Sequence, residues 1–295
     1  MNDAFKTYLD EQRARVDDAL DKLMPAEDVQ PPTAHKAMRH SMFAGGKRLR
    51  PILCLAATEA CGGDTDRAMP LACAAEAVHT YSLMHDDLPC MDDDDFRRGH
   101  PTCHKVFGEA VAVLAGDALQ ALAFEMAAGA EPSSRFGVRD YIIELASTAG
   151  SLHLIAGQIM DMEGEGTVRT EEGLRAIHER KTMALLTSSV RLGAMSSGAD
   201  DAQLEALTRF GKALGLAFQI IDDILDVTQT SEKLGKSAGK DVAAEKATYP
   251  SILGMEASRA EASRLTAEAY SALDLFGDKA ARLRSLAEYL LNRDY

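Results

Sequence analysis

Apolar residues recur at three- and four-residue spacing through most of this chain, and no stretch alternates convincingly with period two. Val, Ile, Leu and Ala keep that rhythm over roughly 34–44, 51–61, 67–88, 106–128, 138–162, 171–197, 201–228 and 241–275, followed by a C-terminal pair. An amphipathic stretch, "MNDAFKTYLDEQRARVDDALDKLM", precedes them and is set off by "PAEDVQPPT", Pro25 to Thr33. Gly- or Pro-marked joints such as "AGGKRLRP", "CGGD", "GAEPSS", "GEGT" and "SSGAD" separate the rest. The pattern predicts an all-α fold: an antiparallel helix bundle of about ten helices whose core can hold ligand sites. No low-complexity linker divides it, so a single domain over residues 1–295 is expected.

Composition supports helix over strand, since Trp is absent and aromatics are 5% of the chain. With 46% hydrophobic residues a sizeable core is available. The five cysteines are an odd number without a CxxC pair, which argues against a disulfide framework and fits a reducing, cytoplasmic location. The N-terminal stretch has no apolar h-region of a secretory signal. No uninterrupted apolar run approaches about 20 residues, so no membrane span is expected. The net charge of −14 argues against nucleic acid as a partner.

Charge also singles out one stretch. "HDDLPCMDDDDFRRG", His85 to Gly99, packs six aspartates into ten residues. Carboxylates about 5 Å apart repel by about 3 kcal/mol per pair at an effective dielectric of about 20. Such a cluster needs open water or cations. Asp86 and Asp87 end an apolar helix, and Pro89 disfavours continuing it, so Asp92 is free to loop back beside Asp86. The run Asp93, Asp94 and Asp95 reads equally well as a solvated patch. A second acidic motif lies inside the apolar stretch "LAFQIIDDILDV", where Asp222, Asp223 and Asp226 fall on one side of a helix. Oxygen-only ligand sets suit Mg²⁺ or Mn²⁺, and the spacing does not fit an EF-hand.

A protein this acidic needs metal and local basic clusters to hold a polyanion. "GGKRLRP" supplies Lys47, Arg48 and Arg50; Arg97 and Arg98 follow the aspartate run; Lys181 and Thr182 lie in "HERKTMALL"; Lys236, Lys240 and Lys246 follow the second motif. Each cluster alone could merely complement a helix dipole. Their joint placement beside two acidic motifs points to substrate phosphates bridged by metal.

In order along the chain, "GGKRLRP", "HDDLPCMDDDDFRRGHPTCH", "LAGDAL", "GQIMDM", "KTMALL" and "FQIIDDILD" resemble the trans-prenyltransferases, the polyprenyl diphosphate synthases. The resemblance spans about His35 to Tyr249 and is closest to bacterial short-chain farnesyl diphosphate synthases. It implies an all-α homodimer joining isopentenyl diphosphate to an allylic diphosphate, with three Mg²⁺ per site when substrate is bound and Mn²⁺ as a substitute. By the same resemblance Asp86, Asp87, Asp92, Asp222, Asp223 and Asp226 bind metal. Lys47, Arg50, His79 and Arg98 match the isopentenyl diphosphate site. Arg97, Lys181, Thr182, Gln219 and Lys236 match the allylic site, with Lys246 nearby and Gln158 and Asp161 of "GQxxD" close by. Arg97, Lys181, Thr182 and Gln219 are the implied catalytic set. Ionisation of the allylic C–O bond, attack by the isopentenyl double bond and loss of a proton to the departing diphosphate require no protein nucleophile. On composition alone His79 and Gln219 would read as satisfied core residues.

Tyr81 lies five residues before Asp86, about 7.5 Å deeper along a helix. With Ser82 it reads either as the floor of the tail pocket or as a core tyrosine with a satisfied hydroxyl; in the resembled family an aromatic there goes with a C15 product, farnesyl diphosphate. The alternative is a C20 geranylgeranyl diphosphate synthase, which "DDLPCMDDDD" and "HKVFGEAVAVLAGDAL" also resemble. A terpene cyclase is more distant, having no need of the Lys47 and Arg50 cluster. An acidic scaffold or Ca²⁺ buffer would leave the basic clusters unexplained.

Overall fold

The three- and four-residue rhythm folds as helix throughout the computed structural model, which describes residues 3–164, 166–228 and 247–291. The first helices are α1 (Asp3–Leu23), α2 (Pro32–Met42), α3 (Leu49–Ala60) and α4 (Thr65–Asp86). A small hairpin, β1 (Phe96–Arg97) and β2 (His100–Pro101), leads into α5 (Cys103–Phe107) and α6 (Glu109–Ala128). Then come α7 (Val138–Ala149), α8 (Leu154–Gly164), α9 (Glu171–His178), α10 (Ala184–Ser196) and α11 (Asp201–Thr228). Beyond residue 246 follow α12 (Tyr249–Leu253), α13 (Met255–Ala272) and α14 (Ala281–Leu291). A π-helical turn, Glu179–Met183, joins α9 to α10, and a 3₁₀ segment, Asp274–Ala280, precedes α14.

Several predicted helices are each two. The stretch over 106–128 breaks at Gly108, that over 138–162 at Gly150, and that over 241–275 at Gly254. Periodicity runs across these breaks because both pieces bury the same kind of face. The hairpin leaves no signal in the sequence because its strands are two residues each, too short to alternate.

Among the described residues, buried side chains form two apolar cores. One gathers α11, α13 and α14 around Phe210, Leu214, Ile220 and Leu283. The other gathers α2, α4, α6 and α7 around Met42, Val78, Leu119 and Leu145. Helices α3 and α10 contribute to both: Leu53 and Val190 face the first, Leu55 and Leu192 the second. Helices apolar on every side belong in such a central position. Consequently α4 and α11, which carry the acidic motifs, belong to different cores, and α10 packs against both.

Among the described residues, α6 is the one helix long and apolar enough to cross a membrane. This departs from the expectation drawn from uninterrupted runs, because Asp117 and Glu125 interrupt the run without lowering its mean hydropathy of 1.5 below that of a span. Ala112, Ala115, Leu119 and Ala123 of this helix are buried in the second core, largely against α4.

Candidate active site

The first acidic motif folds back as Pro89 suggested. The Asp92 amide donates to the Asp86 carbonyl at 2.8 Å, and the Asp94 amide to the Asp87 carbonyl at 3.2 Å. Asp93 takes a left-handed φ of 49° in that turn. Asp86 and Asp92 are partly exposed and Asp87 is buried. Burial raises the Asp86 carboxyl to about 6; Lys181 pulls it down, while Asp92 and Asp87 push it up. Burial also raises Asp87, against the opposing pull of Arg97. Arg97 binds Asp87 through Nε at 2.6 Å and a terminal nitrogen at 2.5 Å, and that nitrogen lies 3.6 Å from Asp94. Asp94, unassigned from sequence, therefore belongs to the Arg97 clamp.

Arg98 and Gly99, both at positive φ, form the two-residue turn between β1 and β2. A hairpin turn of this length favours the left-handed region at both central positions. The arrangement turns Arg98 toward the loop after α2, where its guanidinium donates to the Gly45 carbonyl. A Cβ on Gly46 would overlap that guanidinium, so the second glycine of "AGGKRLRP" makes room for an arginine from the hairpin. His79 lies within electrostatic reach of Arg50, Arg97 and Arg98. Burial first, then Arg50, Arg98, Arg97 and Arg48, hold its imidazole well below the ordinary value. Burial and the neighbouring Arg98 lower Arg50 to about 10 against the pull of Glu76, and its Nε has no partner among the described residues. Cations crowded around a neutral imidazole leave an anion-shaped charge pattern.

Arg48 does not join this group, contrary to its reading as part of a basic cluster. It is 3% exposed and donates to Glu76 at 3.0 Å, Asp17 at 2.7 Å and the Met42 carbonyl at 2.7 Å. It ties α1, the loop after α2 and α4 together. Lys47 is exposed, with its ammonium over the Tyr289 ring at 5.6 Å.

Lys181 and Thr182 lie in the π-helical turn. Such turns recur at functional sites because the extra residue re-aims side chains. Lys181 Nζ binds Asp161 of α8 at 2.5 Å, which brings "GQIMDM" to the site. Gly157 of the same motif permits the approach, since a Cβ there would strike the Lys181 backbone. Thr182 donates to the Gln219 carbonyl at 3.2 Å, and the Gln219 amide donates to Asp223 at 3.3 Å. One turn thus connects the two motifs: Lys181 acts on Asp86, and Thr182 reaches Asp223 through Gln219.

The three aspartates of α11 do not behave alike. Asp222 is partly exposed. Asp223 is 5% exposed and accepts from the Tyr249 amide at 2.9 Å, with His178 Nε2 3.5 Å away. His178 and Tyr249 also stack, a pairing that left no signal in the sequence. Asp226 is buried, and its Oδ2 has no partner among the described residues. Helical spacing predicted a shared side of α11, but not that the backbone of α12 takes up Asp223. Lys236, Lys240 and Lys246 lie outside the described residues.

Tyr81 is buried on α4 with its ring 5.9 Å from His85, and burial pushes its hydroxyl up to about 12. Ser82 donates to the His79 carbonyl at 3.0 Å.

The profile of the polyprenyl synthetase family matches residues 31–284. A geranylgeranyl pyrophosphate synthase of Capsicum annuum, named chloroplastic, is 50% identical over 98% of this chain and 79% of its own. One from Catharanthus roseus, also named chloroplastic, is 52% identical over 98% of this chain and 82% of its own. Among solved structures, a geranyltransferase from Helicobacter pylori, described as complexed with magnesium and isoprenyl diphosphate, superposes with a TM-score of 0.83. It is 34% identical over 99% of this chain and 98% of its own. The chloroplastic names overturn the cytoplasmic location expected from cysteine usage. Unpaired thiols report a reducing environment, not a particular compartment.

Proposed function

Because the chain belongs to the polyprenyl synthetase family, whose chemistry is prenyl transfer, we propose that it joins isopentenyl diphosphate to allylic diphosphates and builds a C20 product, geranylgeranyl diphosphate. The observation that carries the diphosphate assignment is the set of cations beside the first acidic motif: Arg97 clamped on Asp87, Arg98 held against the Gly45 carbonyl, and Arg50 with its buried Nε lacking a partner among the described residues. The names of the plant relatives favour C20 over the C15 product expected above.

Mg²⁺ is the proposed cofactor, three ions per site with substrate and Mn²⁺ as a substitute. The residues suit it: Asp86 and Asp92 are held side by side, and Asp226 offers a buried oxygen with no partner among the described residues. Hard divalent ions take such carboxylate oxygens together with substrate phosphates. When bound, the ions supply Lewis-acid charge at the diphosphate oxygens. Asp222 completes the set, and Asp87 and Asp223 orient Arg97 and Gln219.

In this reading Arg50, His79, Arg98 and Lys47 bind isopentenyl diphosphate. Arg97, Lys181, Thr182 and Gln219 hold the allylic diphosphate and stabilise it as it leaves. Lys236 and Lys246 would contribute from outside the described residues. The apolar helices exclude water from the allylic cation. The chain acts as one domain, because α3 and α10 belong to both cores. It pairs as a homodimer through exposed apolar side chains on neighbouring helices: Val113 and Leu114 of α6, Ile143 of α7, and Ile155 and Ile159 of α8.

A C15 product is the second reading, favoured by the buried Tyr81 ring one and a half turns before Asp86. Chromatography decides: full-length protein with Mg²⁺, isopentenyl diphosphate and dimethylallyl diphosphate should accumulate C20. Mainly C15 would transfer the assignment to the second reading, and unconsumed isopentenyl diphosphate would overturn prenyl transfer itself.

A further inference from the structure

The diphosphate site leaves Asp93 and Asp95 without a role, and the fold sets them beside a histidine from the far side of the hairpin. One carboxylate oxygen of each and a ring nitrogen of His104 lie within 4.8 Å of one another. His104 is 7% exposed. Its Nδ1 lies 3.2 Å from the Thr102 hydroxyl, which donates to the Asp94 carbonyl at 2.8 Å. The single hydroxyl hydrogen is thereby committed, so toward His104 the Thr102 oxygen accepts. In the neutral ring Nδ1 then carries the hydrogen, and Nε2 offers its lone pair. That Nε2 is buried and has no hydrogen-bond partner among the described residues.

We propose that Asp93, Asp95 and His104 form a second divalent-metal site, distinct from the diphosphate site and suited to a first-row transition ion such as Zn²⁺, Co²⁺ or Mn²⁺. An imidazole nitrogen with two carboxylates selects these ions over Mg²⁺ or Ca²⁺. Bonds of about 2.0–2.2 Å set ligand atoms roughly 3–4 Å apart, a spacing this cluster can meet. The Thr102 hydroxyl fixes the tautomer from behind, as partners of metal-bound histidines commonly do. Lys105 pairs with Asp95 Oδ1 at 2.7 Å, and Asp95 retains a second oxygen for a metal. The ion would tie Asp93 to His104 across the base of the hairpin and so hold Arg97 and Arg98 in place.

The test is a Co²⁺ titration of the full-length protein without diphosphate, read by visible absorption and by paramagnetic shifts of histidine ring protons. One equivalent should bind with a shifted imidazole N–H. D93N/D95N, at exposed positions, should weaken binding at least tenfold while leaving the metal-free melting temperature unchanged, and H104Q should abolish the shifted N–H. D86N/D222N, which removes ligands proposed for the diphosphate site, should leave the Co²⁺ signal intact. The proposal is overturned if no Co²⁺ binds, if D93N/D95N binds it like wild type, or if D86N/D222N loses it instead.

Discussion

Asp86 shows what burial does to one carboxyl among several. Its value near 6 lies above the ordinary 3.8, so between about pH 4 and pH 6 the metal-free folded protein holds a proton there that the unfolded chain has released. Stability of the metal-free protein should therefore fall as pH rises from about 4 to about 6, then level off. Mg²⁺ requires the carboxylate, so its affinity should rise over the same range and plateau above about pH 7; calorimetry in the presence of diphosphate would measure it. A flat affinity between pH 5 and 7 would contradict this behaviour. His79 has the opposite sign. Burial and the surrounding arginines favour its neutral form, and an incoming diphosphate should raise its value, so substrate binding should shift it toward the charged form. Tyr81→Ala should lengthen the product by at least one C5 unit, and an unchanged product would remove Tyr81 as the pocket floor. The acidic and basic residue types were legible in the sequence because like charges crowd this closely only in open water or around counterions. The separation of Arg48 from Arg50 was not, because whether a guanidinium faces a ligand or a buried glutamate depends on which way the turn before α3 rolls.

Single elements carry the precision of the site. The π-helical turn at Glu179–Met183 points Lys181 toward Asp161 and Thr182 toward Gln219, and α8 can approach it only because residue 157 lacks a Cβ. Gly157→Ala should cost roughly 1–3 kcal/mol of stability through overpacking. It should also lower kcat more than it raises the KM for isopentenyl diphosphate, because it moves Lys181 and not the Arg50 group. Denaturant unfolding and steady-state kinetics check the two halves separately. Arg48→Met tests the opposite case, a buried cation serving the fold. Leaving Glu76 uncompensated should cost about 3–5 kcal/mol, with kcat per folded molecule nearly unchanged. A large loss of kcat at full folding would return Arg48 to the diphosphate site. Helix existence followed from periodicity, but the breaks at Gly108, Gly150 and Gly254 did not, since each joins pieces of the same apolar period.

At the scale of the whole molecule, two apolar cores share α3 and α10, and the acidic motifs sit one on each core. The exposed apolar side chains of α6, α7 and α8 are a third apolar surface, proposed above as the dimer face. Leu114→Glu with Ile143→Glu should convert a dimer to monomer in sedimentation velocity; unchanged sedimentation would place the partner contact elsewhere. By itself the sequence determined the all-α class, the two metal-suited motifs and the basic partners, because periodicity and charge crowding are local properties of a chain. Only the tertiary structure decided which of these residues meet. It brought Arg98 to the loop after α2, gave Asp223 to the backbone of α12, and left Asp226 and His104 with buried atoms lacking partners among the described residues. Those outcomes depend on contacts between elements far apart along the chain, which no local pattern encodes.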